Sequence, residues 1–253
     1  MVEHPHPFVI ALDFCFSDEK FVYMGMKYLP HGNMREHLDL VQRYSEKEAK
    51  FYAAQILLAL ETLHFHKPAY DRDGNSHDRN GTAYERWVMY VDMKPENIMF
   101  DDNGYLKLID FDRSVELTTQ NPENTIDIAL QYYKSPEMKK GKAYNEMTDW
   151  WGFGILLFEM IVGHTPFHDK DPLKRQHAIY NDDFQFPHYL NISDRCKDLI
   201  RKLLVKDPRY RLGYQCGAQF IKEHPWFHNM DWDNLMDFKV SLFANQKNRK
   251  KLL

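Results

Sequence analysis

The chain has 253 residues, 43% hydrophobic and 28% charged, a composition ordinary for a soluble globular protein with a sizeable core. Its formal charge of −4 excludes the basic field that nucleic-acid binders carry. Cys15, Cys196 and Cys216 are widely spaced and odd in number, which argues against a disulfide framework or a zinc ribbon and suits a reducing compartment, the cytoplasm or the nucleus.

The first residues, "MVEHPHPF", lack the charged-then-apolar pattern of a signal peptide. Residues 8–29, "FVIALDFCFSDEKFVYMGMKYL", read as two β-rich runs around a polar turn. Residues 45–64, "SEKEAKFYAAQILLALETLH", open on a capping box formed by Ser45 and Glu48. Their apolar positions occupy most of the helix circumference, so this helix is expected to be largely buried. The polar, Gly- and Asp-rich segment 67–86 breaks the pattern. It begins like a calcium loop, with Asp71, Asp73 and Asn75, but Ser76 and Thr82 stand where the turn Gly and the closing Glu belong. It therefore reads as a surface insertion.

In "IMFDDNGYLKLI", residues 98–109, Asn103-Gly104 predicts a hairpin with a two-residue turn. Thr148 is expected to cap the strongly apolar helix in "DWWGFGILLFEMIV", with Gly163 closing it. The apolar run 152–163 is too short to span a bilayer and reads as a core helix. From residue 193 onward the chain is amphipathic helix interrupted at Pro208 and Pro225, and the basic tail "QKNRKKLL" reads as a solvated end. Strands early and helices late give an α+β class.

The chemistry concentrates in "YVDMKPENIMF", residues 90–100, and "LIDFD", residues 108–112. A two-residue Asn-Gly turn places Asn97 opposite Asp110 at the open end of the hairpin, with Cβ atoms roughly 5 Å apart. Two hard oxygen ligands at one point suit Mg²⁺, which completes its shell with phosphate oxygens and water. Asp92 and Lys94 enter the same place, a carboxylate able to orient a hydroxyl and take its proton, and a cation able to neutralise phosphate. An isolated Asp or Lys in a loop is usually only solvated; the joint spacing lifts the functional reading.

That joint pattern resembles the eukaryotic protein kinases, whose signature set is well known. "VDMKPEN" is similar to their catalytic loop, "DFD" to the metal-binding Asp-Phe-Gly, and "SPE", residues 135–137, to Ala-Pro-Glu. "TDWWGFGILLFEM" looks like their central helix, with Asp149 holding the catalytic loop, and "DPRYRLG" supplies Arg211 to pair with Glu137. "HPFVIALDFCF", "FYAAQILLALETLH" and "GAQFIKEHPWF" are most like the cyclic-nucleotide-dependent (AGC-group) Ser/Thr kinases.

The resemblance implies a protein-kinase-like fold with a mainly helical C-terminal lobe and remnant strands of the small lobe. It places the kinase domain at 1–235, with the insertion at 67–86 and a tail at 236–253. It also implies ATP and Mg²⁺ as cofactors and a protein or peptide substrate, while the charge and the short apolar run argue for no nucleic-acid partner and no membrane span. Asp92 is then the catalytic base and Lys94 the γ-phosphate contact, with Asn97 and Asp110 on the metal. Nucleotide contacts are expected at Met24, Lys27, Leu29, Glu96, Met99 and Asp110, with "MKYL" as the hinge, Met24 as gatekeeper and Met99 under the purine. Both Met residues are equally readable as core filler.

Several positions depart from the family pattern. No Gly-x-Gly-x-x-Gly occurs, and the chain starts at what resembles the fourth strand of the small lobe, so an N-terminally truncated domain is expected. Val91 replaces an Arg that grips an activation-loop phosphate, Ile126 stands near the phosphothreonine position with Thr125 one residue away, and Leu130 replaces a bridging Thr. Together these imply that activation-loop phosphorylation is not used. Asp112 replaces the Gly of Asp-Phe-Gly and adds a carboxylate beside the metals. Glu96 matches a carboxylate that contacts a peptide Arg in basophilic relatives, but Asn33 and His177 stand where two further Glu are expected, which implies a weakened preference for basic peptides. The expected function is ATP-dependent phosphorylation of Ser or Thr in proteins; the alternative is a pseudokinase or scaffold that transfers no phosphate.

Overall fold

The polar turn of the first β-rich run forms as its composition implies. In the computed structural model of the chain, which describes residues 6–65, 67, 68, 83, 85–125 and 132–239, Asp18 Oδ1 accepts the N–H groups of Lys20 and Phe21 at 2.8 Å. This turn joins β1 (Leu12–Ser17) to β2 (Val22–Met26), an antiparallel pair. The pair stands proud of the helices: Phe14, Phe16, Phe21, Val22 and Met24 are all exposed.

Two helices follow. In α1 (Met34–Val41), Asn33 and Glu36 form a capping box. α2 (Glu46–His64) carries the expected box, with the Ser45 side chain accepting from Glu48 N–H and Glu48 bonding back to the Ser45 N–H. The second half of α2 is buried almost all round, as its apolar circumference predicts.

Beyond α2, β3 (Lys67–Pro68) pairs with β4 (Glu85–Met89), which pairs on its other edge with β7 (Val115–Thr118). The two ends of the polar insertion are thereby tied together through Lys67 opposite Arg86. The calcium-like positions Asp71, Asp73 and Asn75 lie outside the described residues, as do Ile126 and Leu130. Val91 packs with Trp87, Met89, Leu117, Met138 and Tyr144 in a small core of its own.

β5 (Ile98–Phe100) and β6 (Leu106–Leu108) form the hairpin, but its register differs from the expectation. Ile98 faces Leu108 and Phe100 faces Leu106, so the connection is five residues long rather than two. A two-residue type I′ turn needs positive φ at both Asn103 and Gly104, and only Gly104 adopts it (φ 80°). Asp101 closes the longer turn, its Oδ1 accepting from Asn103 N–H at 2.8 Å and Tyr105 N–H at 2.9 Å. Asn97 is therefore level with Ile109, whose N–H donates to the Asn97 carbonyl at 3.0 Å, and not with Asp110.

The remaining elements are helical: α3 (Pro136–Lys139), α4 (Met147–Val162), α5 (Pro172–Asn181), α6 (Asp194–Leu203), α7 (Gly217–Lys222) and α8 (Trp232–Met236). Every residue of α4 is buried, as its unbroken apolar run requires, and it packs between α2 and α6. Gly163 ends it in the left-handed region (φ 95°). Thr148 does not cap it. The helix starts at Met147, two residues before the start that a Thr148 cap implies, and the Thr148 hydroxyl bonds to Ser135 Oγ and Met138 Sδ instead, tying α4 to α3. Short 3₁₀ turns at Pro208 and Pro225 break the C-terminal helices where the prolines predict. Among the described residues no helix is long and apolar enough to cross a membrane.

Candidate active site

The loop between β4 and β5 is held from below by α4. Asp149, in the first turn of α4, accepts the backbone N–H of Tyr90 at 2.8 Å on Oδ2 and that of Val91 at 2.7 Å on Oδ1. The His64 ring shares Asp149 Oδ2 at 2.7 Å. These bonds fix Val91 at φ 68°, a conformation that costs a β-branched residue on the order of 1–3 kcal/mol. Gly152, one turn along α4, lets the loop come close: a Cβ built there would sit 2.9 Å from Met93 Cβ.

On this support, Asp92 is fully buried. Its Oδ2 accepts from Lys94 Nζ at 2.6 Å and from Asn97 Nδ2 at 2.8 Å. Asn97 Nδ2 also donates to the Asp92 carbonyl at 3.1 Å, so the 3₁₀ turn Pro95–Asn97 is folded back onto the carboxylate. Asp92 Oδ1 accepts no hydrogen bond from the described residues, and the guanidinium of Arg113 stands 4.0 Å from it. An unsatisfied buried carboxylate oxygen is costly unless a ligand group meets it.

Beyond the hairpin, Tyr90 OH donates to the Ile109 carbonyl at 2.6 Å and the Phe111 ring packs edge-on against Tyr90. This anchors the following turn, where Asp110 has φ 59°. One carboxylate oxygen from each of Asp92, Asp110 and Asp112 lies within 4.8 Å of the other two. Burial, Asp112 and Asp92 all raise the Asp110 carboxyl above its ordinary range. Three carboxylates crowded together are what a divalent cation would neutralise, so the residues present fit Mg²⁺. Asp112, expected from the sequence to add a carboxylate near the metals, lies in the same cluster.

The fold thus brings Asp92, Lys94, Asn97 and Asp110 together. Glu96 accepts from Arg35 Nε at 3.0 Å. Met99 is half-buried in β5, level with Lys107, and its backbone is bridged to Asn33. Leu29 is buried. Lys27 is exposed, 3.5 Å from Asp102, and Met24 lies on β2 with 62% of its surface exposed.

Arg35, Arg113 and Glu159 border the same region and were missed in the sequence. They line a cavity of about 570 Å³ together with Lys94, Glu96 and Tyr133. No local motif marks them, because Arg35 meets partners 61 and 124 residues away.

The family described as protein kinase domain matches residues 1–227. Over 234 residues the chain is 36% identical to cAMP-dependent protein kinase type 3 of Saccharomyces cerevisiae, covering 91% of this chain and 52% of that protein. It is 35% identical over 245 residues to cAMP-dependent protein kinase catalytic subunit PRKX of Homo sapiens, covering 94% and 60% respectively. It is 34% identical to serine/threonine-protein kinase sgk-1 of Caenorhabditis elegans, covering 96% and 48%. The chain spans about half the length of these relatives.

Proposed function

The chain belongs to the protein kinase family, and on that premise we propose that it is an ATP-dependent protein serine/threonine kinase. The observation that carries this reading is Asp92, buried, braced by Lys94 and Asn97, with one oxygen left open beside two further carboxylates.

In this reading Asp92 Oδ1 orients the acceptor hydroxyl and takes its proton as the hydroxyl oxygen bonds to the γ-phosphorus of ATP and ADP departs. Lys94, already 2.6 Å from Asp92, offsets the negative charge gathering there. Asn97 has its amide N–H group spent on Asp92, so its amide oxygen is the donor a cation would meet, together with Asp110. Mg²⁺ held at these residues would neutralise phosphate oxygens. Leu29 and Met99 are the apolar contacts proposed for the purine, with Met24, Lys27 and Glu96 at the margin of the nucleotide. The proposed domain runs over 1–235, with a tail at 236–253, and acts on Ser or Thr in proteins in the cytoplasm.

A second reading, a scaffold without phosphotransfer, is favoured by the exposure of Met24 and its neighbours on β1 and β2. Radiolabelled ATP with a generic protein acceptor separates the two. Label that disappears in Asp92→Ala supports the kinase. Absence of label, with no rise in melting temperature on adding Mg·ATP, supports the scaffold.

A further inference from the structure

The cavity beside Asp92 contains two carboxylates, Glu96 and Glu159, and these are the groups that would receive a cationic side chain of a peptide lying there. Both already hold a cation. Arg35, projecting from α1, donates Nε to Glu96 Oε1 at 3.0 Å and Nη2 to Glu159 Oε1 at 2.8 Å. Its third nitrogen, Nη1, stands 3.9 Å from Asp39 Oδ1. The second oxygen of Glu159 accepts from the Tyr133 hydroxyl. Glu159 is only 4% exposed, so its partners are held in a water-poor place where a charge-assisted bond is strong.

The charges agree with the geometry. Burial works against the Arg35 charge, yet Glu159 and Glu96 hold the guanidinium above its ordinary range. Burial and Glu159 likewise keep the Tyr133 hydroxyl protonated and able to donate. An incoming arginine would have to expel Arg35 from a fitted site and leave a second guanidinium without its carboxylates. Lys94 and Arg113 on the same wall add further positive charge.

We propose that Arg35 is a specificity-determining residue: it occupies from within the chain the acid pair that would otherwise bind an Arg or Lys of the substrate, so the groove takes peptides without a basic residue at that subsite. This rests on the kinase reading for the identity of the peptide groove. It goes beyond a weakened basic preference, because it names an occupant whose removal restores the preference.

The test uses serine peptides in which a single Arg is scanned through the positions flanking the acceptor, beside an all-neutral peptide. Phosphate incorporation is read for the serine peptides. Binding is read by fluorescence anisotropy for the same peptides with Ser replaced by Ala. The unaltered chain is expected to treat the Arg-bearing and neutral peptides within about 3-fold of each other. Arg35→Ala, or Arg35→Gln where the apolar stem is needed for folding, is expected to favour one Arg-bearing peptide by about 10-fold or more. Adding Glu159→Gln is expected to remove the gain.

A strong Arg preference in the unaltered chain overturns the proposal by itself. So does a folded Arg35 variant with no gain at any position, which would make Arg35 a brace between α1 and α4 and nothing more. Transfer without a gain in the variants leaves the kinase reading standing and sinks this one. A gain in anisotropy without transfer in any sample supports the subsite and sinks the kinase reading.

Discussion

Arg211 donates to both carboxylate oxygens of Glu137, at 2.7 Å from Nη1 and 3.0 Å from Nη2. Both side chains are withdrawn from water. Arg211 also donates to the carbonyls of Met147, at the first residue of α4, and of Val205, beyond α6. The pair therefore locks α3, the entry of α4 and the loop after α6 at one point. Glu137→Gln leaves a guanidinium buried without its counter-charge, and the expected loss is about 3–5 kcal/mol. Urea unfolding checks it. Pairing that change with Arg211→Met should cost clearly less than the sum of the two single changes, because no charge is then stranded.

Asp92→Asn keeps the shape of the side chain and removes the proton acceptor. On the proposed kinase reading, phosphate transfer is expected to fall by at least about 10²-fold. The far-UV circular dichroism spectrum and a cooperative melt should persist, since Lys94 and Asn97 can still be accommodated around an amide. A variant that loses activity only through unfolding would show neither.

Gly152→Ala tests the close approach of α4 to the loop that bears Asp92. The added Cβ would lie 2.9 Å from Met93 Cβ, nearer than packed carbons tolerate. A cost of about 1–3 kcal/mol is expected from overpacking. The displaced loop should also lower kcat at saturating ATP, whereas an Ala substitution on the exposed hairpin, such as Phe16→Ala, should leave kcat unchanged. Steady-state kinetics beside thermal melts distinguishes these outcomes.

His6 is buried against Phe8, whose N–H donates to its Nδ1 at 3.2 Å. Burial and then the nearby Lys107 lower its pKa from 6.5 to about 4. The folded protein therefore resists a proton that the unfolded chain accepts. Stability from this group is complete above about pH 6.5, falls as pH descends toward 4, and levels off below that. The change corresponds to roughly 3 kcal/mol at most. Equilibrium unfolding between pH 7 and 4 should show a correspondingly shallower decline in His6→Gln.

The features legible along the chain are those encoded within one or two turns. The Ser45 and Glu48 box, the buried run of α4 and its Gly163 terminus need only neighbours three to five residues away, and the structure has them as expected. The Asn-Gly dipeptide misled because the turn type is chosen by more than two residues. Asp101 offered its side chain to two backbone N–H groups and drew the loop out to five residues. Thr148 misled similarly: its hydroxyl found Ser135 and Met138 across the interface with α3.

By itself the sequence determined the α+β class, the Ser45 start of α2 and the Gly163 end of α4, because spacing and periodicity are local properties of a chain. It singled out Asp92, Lys94, Asn97 and Asp110 as candidates, but the two-residue turn that set Asn97 opposite Asp110 is not the turn that forms. Only the tertiary structure decided what those residues face. It placed Asp112 within reach of Asp92 and Asp110 and set Arg35 between Glu96 and Glu159. The hold of Asp149 on Tyr90 and Val91 is what the family resemblance had implied. The partner of a long charged side chain depends on where packed helices bring distant carboxylates, and no pattern along the chain carries that distance.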